Sequence, residues 1–174
     1  MKDLSEIKVL FSEDEIQSAI NELANTLNDY YKKEDVILIC ILKGASFFAT
    51  DLAKRLKMPL QIEFVRLSSY IGEKSTGEIQ PISLSLPDLT NKNILIVEDI
   101  IDTGRTLKFF SDFINDKYKV KNMKICALLN KKAKRAVEIN TDYFLFEVED
   151  EFVVGYGLDY NGYYRNLPYV GYLN

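Results

Sequence analysis

The sequence predicts an α/β fold, a mainly parallel central sheet flanked by helices, and three observations carry that prediction. Residues 36–42 and 94–97 are continuous apolar runs, and 123–129 is apolar apart from Lys124, the pattern of strands buried on both faces. Between them lie segments with apolar residues at helical spacing, such as Ile16, Ile20, Leu23 and Leu27, or Leu107, Phe110 and Ile114. Strand and helix patterns alternate along the chain, which favours a sheet covered by helices on both faces.

From the N-terminus, Ser12-Glu13-Asp14-Glu15 is a capping box that opens the first helix. The run 36–42 ends at Lys43-Gly44, after which Ser46 can cap a helix carrying Phe48, Leu52 and Leu56. Leu60, Ile62 and Phe64 alternate as a strand. Residues from about 66 to 79 are polar, contain Gly72 and Gly77, and read as a long mobile loop of the kind that forms lids. Ile82, Leu84 and Leu86 alternate again, so this loop joins two antiparallel strands. After the strand at 94–97 and its helix come a buried strand at 123–129 and a last one at Tyr143–Val148. No repeats, low-complexity tracts or linkers interrupt the 174 residues, and one domain with a good core is expected over 1–174.

Hydrophobic residues make up 47% of the chain and charged residues 28%, an ordinary balance for a soluble globular protein. No apolar run approaches a membrane span, and residues 1–7 lack the apolar core of a signal peptide, so a cytoplasmic location is expected. The net charge of −4 disfavours nonspecific nucleic-acid binding. Cys40 and Cys126 each sit in an apolar run without paired spacing and read as buried, reduced thiols. The chain has no histidine, which removes histidine-based triads, histidine zinc sites and imidazole acid–base catalysis. Any proton transfer must use a carboxylate, lysine, tyrosine or water.

The chemistry concentrates in residues 93–107. An aliphatic strand ends in Glu98-Asp99, followed by Ile100, Ile101 and the polar turn Asp102-Thr103-Gly104-Arg105-Thr106, and then by a helix. Strand, polar turn and helix present backbone N–H groups to an anion at the carboxyl edge of a sheet. The acids beside that cradle suit a ribose diol or a Mg2+ ion rather than a bare phosphate. A P-loop is excluded by spacing: it needs a glycine where Asp99 stands and a lysine where Arg105 stands. The three-glycine dinucleotide fingerprint is absent as well.

The stretch Val97-Glu-Asp-Ile-Ile-Asp-Thr-Gly-Arg-Thr106 resembles the phosphoribosyl pyrophosphate signature of type I phosphoribosyltransferases. Leu42-Lys43-Gly44, Ser68-Ser69-Tyr70, Leu129-Asn130-Lys131, residues 152–160 (FVVGYGLDY) and Tyr164-Arg165-Asn166-Leu167-Pro168-Tyr169 extend the likeness over nearly the whole chain, to the hypoxanthine-guanine branch of that family. The resemblance implies the type I phosphoribosyltransferase fold, with a lid loop and a small base-binding hood from about 150–174. It also implies purine salvage: transfer of the 5-phosphoribosyl group to hypoxanthine or guanine, giving IMP or GMP and pyrophosphate.

The same resemblance implies residue roles. Glu98 and Asp99 would anchor the ribose hydroxyls and Mg2+, with Asp159 near the metal and the base edge. Thr103, Gly104, Arg105 and Thr106 would cradle the 5-phosphate, chiefly through backbone N–H groups. Asp102 would be catalytic, accepting or holding the purine proton; its plain alternative is a helix cap. Lys43 and Gly44 would bind pyrophosphate through their backbone, often with a non-proline cis peptide, together with Ser69, Tyr70 and Arg165. Phe152 would stack on the purine, the Val153 carbonyl would accept from it, and Lys131 would face it. A lysine only donates hydrogen bonds, so Lys131 favours a 6-oxopurine over adenine. Lys132, Lys134 and Arg135 read as a solvated surface run. A homodimer or homotetramer goes with the family, and the tyrosine-rich tail suits a subunit interface. A phosphoribosyltransferase for another base, such as xanthine or adenine, and a nucleic-acid-binding sensor that keeps this fold are the rival readings; Lys131 and Phe152-Val153 speak against adenine, and the acidic charge and the intact Asp102 against the sensor.

Overall fold

The computed structural model describes residues 7–69, 79–83 and 86–173. In chain order the elements are β1 (Ile7–Phe11), α1 (Glu13–Tyr31), β2 (Val36–Leu42), α2 (Ser46–Ala53), β3 (Leu60–Ser69), β4 (Ile79–Ser83), β5 (Asn93–Ile101), α3 (Arg105–Lys117), β6 (Asn122–Lys131), β7 (Tyr143–Val148), β8 (Val153–Val154) and β9 (Val170–Leu173). Six of the strands form the central sheet in the order β4-β3-β2-β5-β6-β7. Its five strands from β3 to β7 are parallel, and β4 runs antiparallel at the edge. The predicted α/β class and mainly parallel sheet are thus what the chain forms.

Alternation along the strands sorts the core into two layers. Val36, Leu38 and Cys40 of β2, with Leu95 and Val97 of β5, face α1 and α2 and pack on Ile16, Ile20, Leu27, Phe48 and Leu52. Ile37, Ile39 and Ile41, with Ile94 and Ile96, face the other way and meet Leu107, Phe110 and Ile114 of α3. Because both sets are apolar, the strands appear in sequence as unbroken runs. The capping box forms as expected: the Glu15 N–H donates to Ser12 Oγ at 3.4 Å, and the Ser12 N–H to Glu15 Oε2 at 2.8 Å. Cys40 and Cys126 are free and buried.

Several local expectations are corrected. Residues 66–69, read as the start of the loop, continue β3 because they pair with 79–83. Most of the proposed lid lies outside the described residues, Tyr70 among them. The strand expected around Ile82, Leu84 and Leu86 lies earlier, at Ile79–Ser83; it takes in Pro81, which an edge strand tolerates. Ile62 and Phe64 are 42% and 51% exposed, so of the alternating apolar set of β3 only Leu60 packs on the core beneath α1 and α2. Ser46 is not a cap: it is the first residue of α2, and its hydroxyl donates to the Lys43 carbonyl at 2.8 Å.

A second, three-stranded antiparallel sheet, β1-β9-β8, joins the two ends of the chain. No sequence pattern announced β1, whose partner β9 is contributed by the opposite terminus. No helix among the described residues is long and apolar enough to cross a membrane.

Phe110 is fully buried and fixes the helix that follows the 102–104 turn. Phe110→Ala is expected to lower the unfolding free energy by about 3–5 kcal/mol. Urea titration should show this as a lower midpoint with an unchanged slope.

Candidate active site

β2 and β5 lie side by side, and their carboxyl ends supply the two turns around which the site is built. β5 runs through Glu98 and Asp99 to Ile101, further than the aliphatic run 94–97, because Ile100 and Ile101 still pair with Leu129 and Asn130 of β6. The pair is thereby locked into extended backbone. Glu98 is 8% exposed, its Oε1 accepts from the Asp99 N–H at 3.0 Å, and Asp99 Oδ1 accepts from the Ile100 N–H at 2.7 Å. Burial, and then the neighbouring charge of Asp99, push the Glu98 carboxyl well above the ordinary carboxylate range. Burial also raises Asp99, opposed by Glu98, the Ile100 N–H and the Arg165 charge. A divalent cation or a pair of ribose hydroxyls is the kind of partner such a site fits.

The turn after β5 leads straight into α3. Gly104, in the left-handed conformation, is the N-cap, and no side chain caps the helix. The first helical bond runs from the Lys108 N–H to the Gly104 carbonyl at 2.9 Å, so the N–H groups ahead of it have no helical acceptor. The Arg105 N–H makes only a long contact, 3.4 Å, to Thr103 Oγ1. Asp102 does not act as a cap: its Oδ1 is buried and has no hydrogen-bond partner among the described residues.

A segment that sequence reasoning passed over braces this turn from behind. The Thr103 carbonyl accepts from the Ala136 and Val137 N–H groups at 3.0 and 3.3 Å. Arg135 Nη2 donates to Asn130 Oδ1 at 2.6 Å and to the Ile101 carbonyl at 3.3 Å. Its Cδ would lie 3.2 Å from a Cβ built on Gly104. Arg135 is therefore not a solvated surface residue. Lys132 and Lys134 are exposed, as expected.

Across the cleft, the cis peptide bond precedes Lys43, between Leu42 and Lys43, rather than lying within Lys43-Gly44. Gly44 packs directly on the acidic pair: a Cβ there would stand 1.4 Å from Asp99 Oδ2, so no side chain is compatible with this approach. Arg165 Nη1 donates to the Gly157 carbonyl at 2.6 Å, and its guanidinium forms an ion pair with Asp159. Asp159 Oδ2 also accepts from the Gly162 N–H at 2.7 Å.

These parts enclose a cleft of about 300 Å³, walled by Lys43-Gly44, residues 98–104, Thr106, Asp159 and Arg165. Ile41, Leu42, Leu67 and Leu107 complete the wall, none of them assigned a role in the site from the sequence because aliphatic side chains carry no chemical signal. The Arg105 side chain is exposed and not part of it. Ser69 ends β3, and Tyr70 lies outside the described residues. Lys131, Phe152 and Val153 stand outside this cleft. Lys131 Nζ is buried between Asp150 Oδ1 at 2.9 Å and the Glu151 carbonyl at 3.1 Å. Phe152 is 54% exposed and lies edge-on to Tyr160, while Val153 is buried. Among the described residues no three His, Cys, Asp or Glu side chains converge as a metal site, so Glu98, Asp99 and Asp159 do not form a ready-made trio.

The sequence pattern of the phosphoribosyl transferase domain matches residues 10–161. A bifunctional TilS/HprT protein of Listeria monocytogenes is 47% identical over 95% of the chain; the chain spans only 26% of that protein's length. A hypoxanthine-guanine phosphoribosyltransferase of Staphylococcus epidermidis is 42% identical over 99% of the chain and 95% of its own. The crystal structure of a hypoxanthine phosphoribosyltransferase from Staphylococcus aureus superposes with a TM-score of 0.92 at 41% identity, covering 98% of this chain and 93% of that one.

Two outcomes follow from the packing and the charge. Gly44→Ala should lower the melting temperature, and adding Asp99→Ala should recover part of the loss, since the two sites share one volume; additive losses in thermal melts would contradict the contact. Glu98 has a folded-state value raised above its ordinary 4.5. Its contribution to stability is therefore complete below that unfolded value and is lost as pH rises through the folded one. Melting temperature against pH should fall across that window more steeply in the natural protein than in Glu98→Gln; parallel curves would remove Glu98 as the cause.

Proposed function

The chain belongs to the hypoxanthine-guanine phosphoribosyltransferases, and from that premise we propose that it transfers the 5-phosphoribosyl group of phosphoribosyl pyrophosphate to a 6-oxopurine, hypoxanthine or guanine. The products are IMP or GMP and pyrophosphate, in purine salvage. The observation that carries this reading is the cleft itself, which gathers a helix start without a side-chain cap, an acidic pair with Glu98 buried, a buried carboxylate oxygen without a partner among the described residues and a fixed arginine.

In the reaction the bond from the anomeric carbon to pyrophosphate breaks, and a bond from that carbon to a purine nitrogen forms. Positive charge develops on the sugar and negative charge on the leaving group. The N–H groups of residues 103–106 and the hydroxyls of Thr103 and Thr106 hold the 5-phosphate at the start of α3. Glu98 and Asp99 hold the ribose hydroxyls, and their charge favours the cationic sugar. Asp102 takes the proton that the purine nitrogen loses; its unpartnered Oδ1 is the acceptor available for it. The Lys43-Gly44 backbone and Arg165 receive pyrophosphate, the planar guanidinium suiting phosphate oxygens. Ser69, at the end of β3, and Tyr70 complete this reading as further pyrophosphate-binding residues.

Mg2+ fits this donor set as a cation held by Glu98 and Asp99 with substrate oxygens, since such ions are commonly bound by one or two carboxylates plus phosphates. Once bound it supplies neutralisation of the leaving group. Asp159 can join only by giving up bonds to Arg165 and Gly162. The C-terminal segment 150–174, with β1 added to its sheet, is the base-binding hood. There Phe152 stacks on the purine and the Val153 carbonyl accepts from it. Two of the three Lys131 donors are used by Asp150 and Glu151. The third is suited to a 6-oxo group and has no use for a 6-amino group. A cytoplasmic homodimer or homotetramer, without nucleic-acid or membrane partners, completes the reading.

Pyrophosphate release with phosphoribosyl pyrophosphate and Mg2+, measured base by base, tests the proposal. Turnover is expected with hypoxanthine and guanine and none with adenine, and xanthine sets the subclass. Silence with all four bases would overturn it. Asp102→Asn should lower kcat about a hundredfold or more, with phosphoribosyl pyrophosphate affinity nearly unchanged by titration; unaltered turnover would remove Asp102 from the chemistry.

A further inference from the structure

Tyr156 plays no part in the chemistry above, yet it is held in an unusual way. It has a φ of 46°, in the left-handed region that bulky residues seldom adopt, and it is only 3% exposed. Its hydroxyl donates to Asp51 Oδ2 on α2 at 2.7 Å. Gln17 Nε2 of α1 donates to the same Oδ2 at 3.2 Å, and Lys54 Nζ to Asp51 Oδ1 at 3.2 Å. Arg55 fixes Gln17 in turn, donating to its Oε1 at 2.7 Å. Burial, followed by the hydrogen bond to Asp51, pushes the phenol upward, so it stays protonated and a donor.

The main chain at this point packs against two parts of the cleft wall, the Gly44 turn and Arg165. The Tyr156 N–H donates to the Leu167 carbonyl at 2.8 Å and the Gly157 N–H to the Arg165 carbonyl at 2.9 Å. Gly157, at φ 101°, lies so close to the Lys43-Gly44 turn that a Cβ on it would stand 2.0 Å from the Gly44 carbonyl oxygen. Its own carbonyl accepts from Arg165 Nη1. Gly157 thus sits between the two groups assigned to pyrophosphate. Because α2 starts two residues after Gly44, a bond from Tyr156 to Asp51 ties the 155–165 segment to the helix that follows the turn.

We propose that Tyr156 is a positioning residue for the leaving-group half of the site, its hydroxyl bond to Asp51 holding Gly157 in register between the Gly44 carbonyl and the Arg165 guanidinium. The inference rests on the phosphoribosyl-transfer reading above. Loss of the tether weakens binding of the pyrophosphate group and leaves the purine and the proton acceptor untouched.

Tyr156→Phe keeps the ring beside Phe47 and removes only the hydroxyl. The KM for phosphoribosyl pyrophosphate and the inhibition constant for pyrophosphate should each rise about tenfold, the scale of one buried hydrogen bond. The kcat and the KM for hypoxanthine should stay essentially as they were. Asp51→Asn, which retains an oxygen acceptor, should restore most of the affinity, whereas Asp51→Ala should match Tyr156→Phe, with the double variant no worse than either. A lowered melting temperature with unchanged pyrophosphate constants, or an equal rise in the hypoxanthine KM, would overturn the assignment. Should Tyr156→Phe fail to fold, the Asp51→Asn and Asp51→Ala pair carries the same comparison. Absence of turnover in the natural protein would sink the transfer reading; turnover with unaltered pyrophosphate constants in these variants sinks only the tether.

Discussion

Two adjacent carboxylates, one buried and one half-buried, are costly at the end of an aliphatic strand, and the arrangement around them follows from that constraint. Neither Glu98 nor Asp99 is relieved by a close cationic side chain; each leans on backbone N–H groups of its own strand, and Arg165 acts on Asp99 only at longer range. The opposing turn approaches so tightly that only a glycine fits, which brings the backbone of Lys43-Gly44 to the acids and shuts out bulk. A pair kept in this state gains most when a cation or hydroxyl donors arrive. Binding strength is thereby stored in the folded protein rather than built during the encounter.

The place of this pair in the sheet explains why the cleft forms there. β2 is followed through α2 by β3 on one side, and β5 through α3 by β6 on the other. The chain therefore departs in opposite directions from two neighbouring strands and leaves a crevice between their carboxyl ends, the switch point where open α/β sheets bind ligands. The helix packing agrees: α2 lies on one face of the sheet and α3 on the other. One wall of the crevice is then a turn at the end of β2, and the other is an acidic strand end leading into an unbonded helix start.

In a chain without histidine, the proton acceptor proposed for the cleft is Asp102, whose buried Oδ1 has no hydrogen-bond partner among the described residues. The two arginines near it are placed differently. Arg165 is tied to Asp159 and Gly157 and faces the cleft, whereas Arg135 stands behind the 102–104 turn and joins the ends of β5 and β6. Both are arginines amid tyrosines or lysines in the sequence, and only their surroundings separate the one that lines the cleft from the one that braces the turn.

By itself the sequence determined the central layers and the chemical core of the site. Unbroken runs such as 36–42 and 94–97 are legible because both faces of those strands are buried, and Glu98, Asp99 and Asp102 stand out because carboxylates are foreign to such settings. What depends on partners distant in the chain was decided only in three dimensions. β1 is a strand because β9 pairs with it, Ile62 and Phe64 stay exposed although Leu60 of the same set packs on the core, and Ser46 bonds backward because Lys43 turns its carbonyl toward it. Arg135, Tyr156 and Gly157 gain their meaning from contacts across the fold. Local pattern encodes which face a residue offers; it does not encode which surface arrives to meet it, since that is set by the packing of the whole chain.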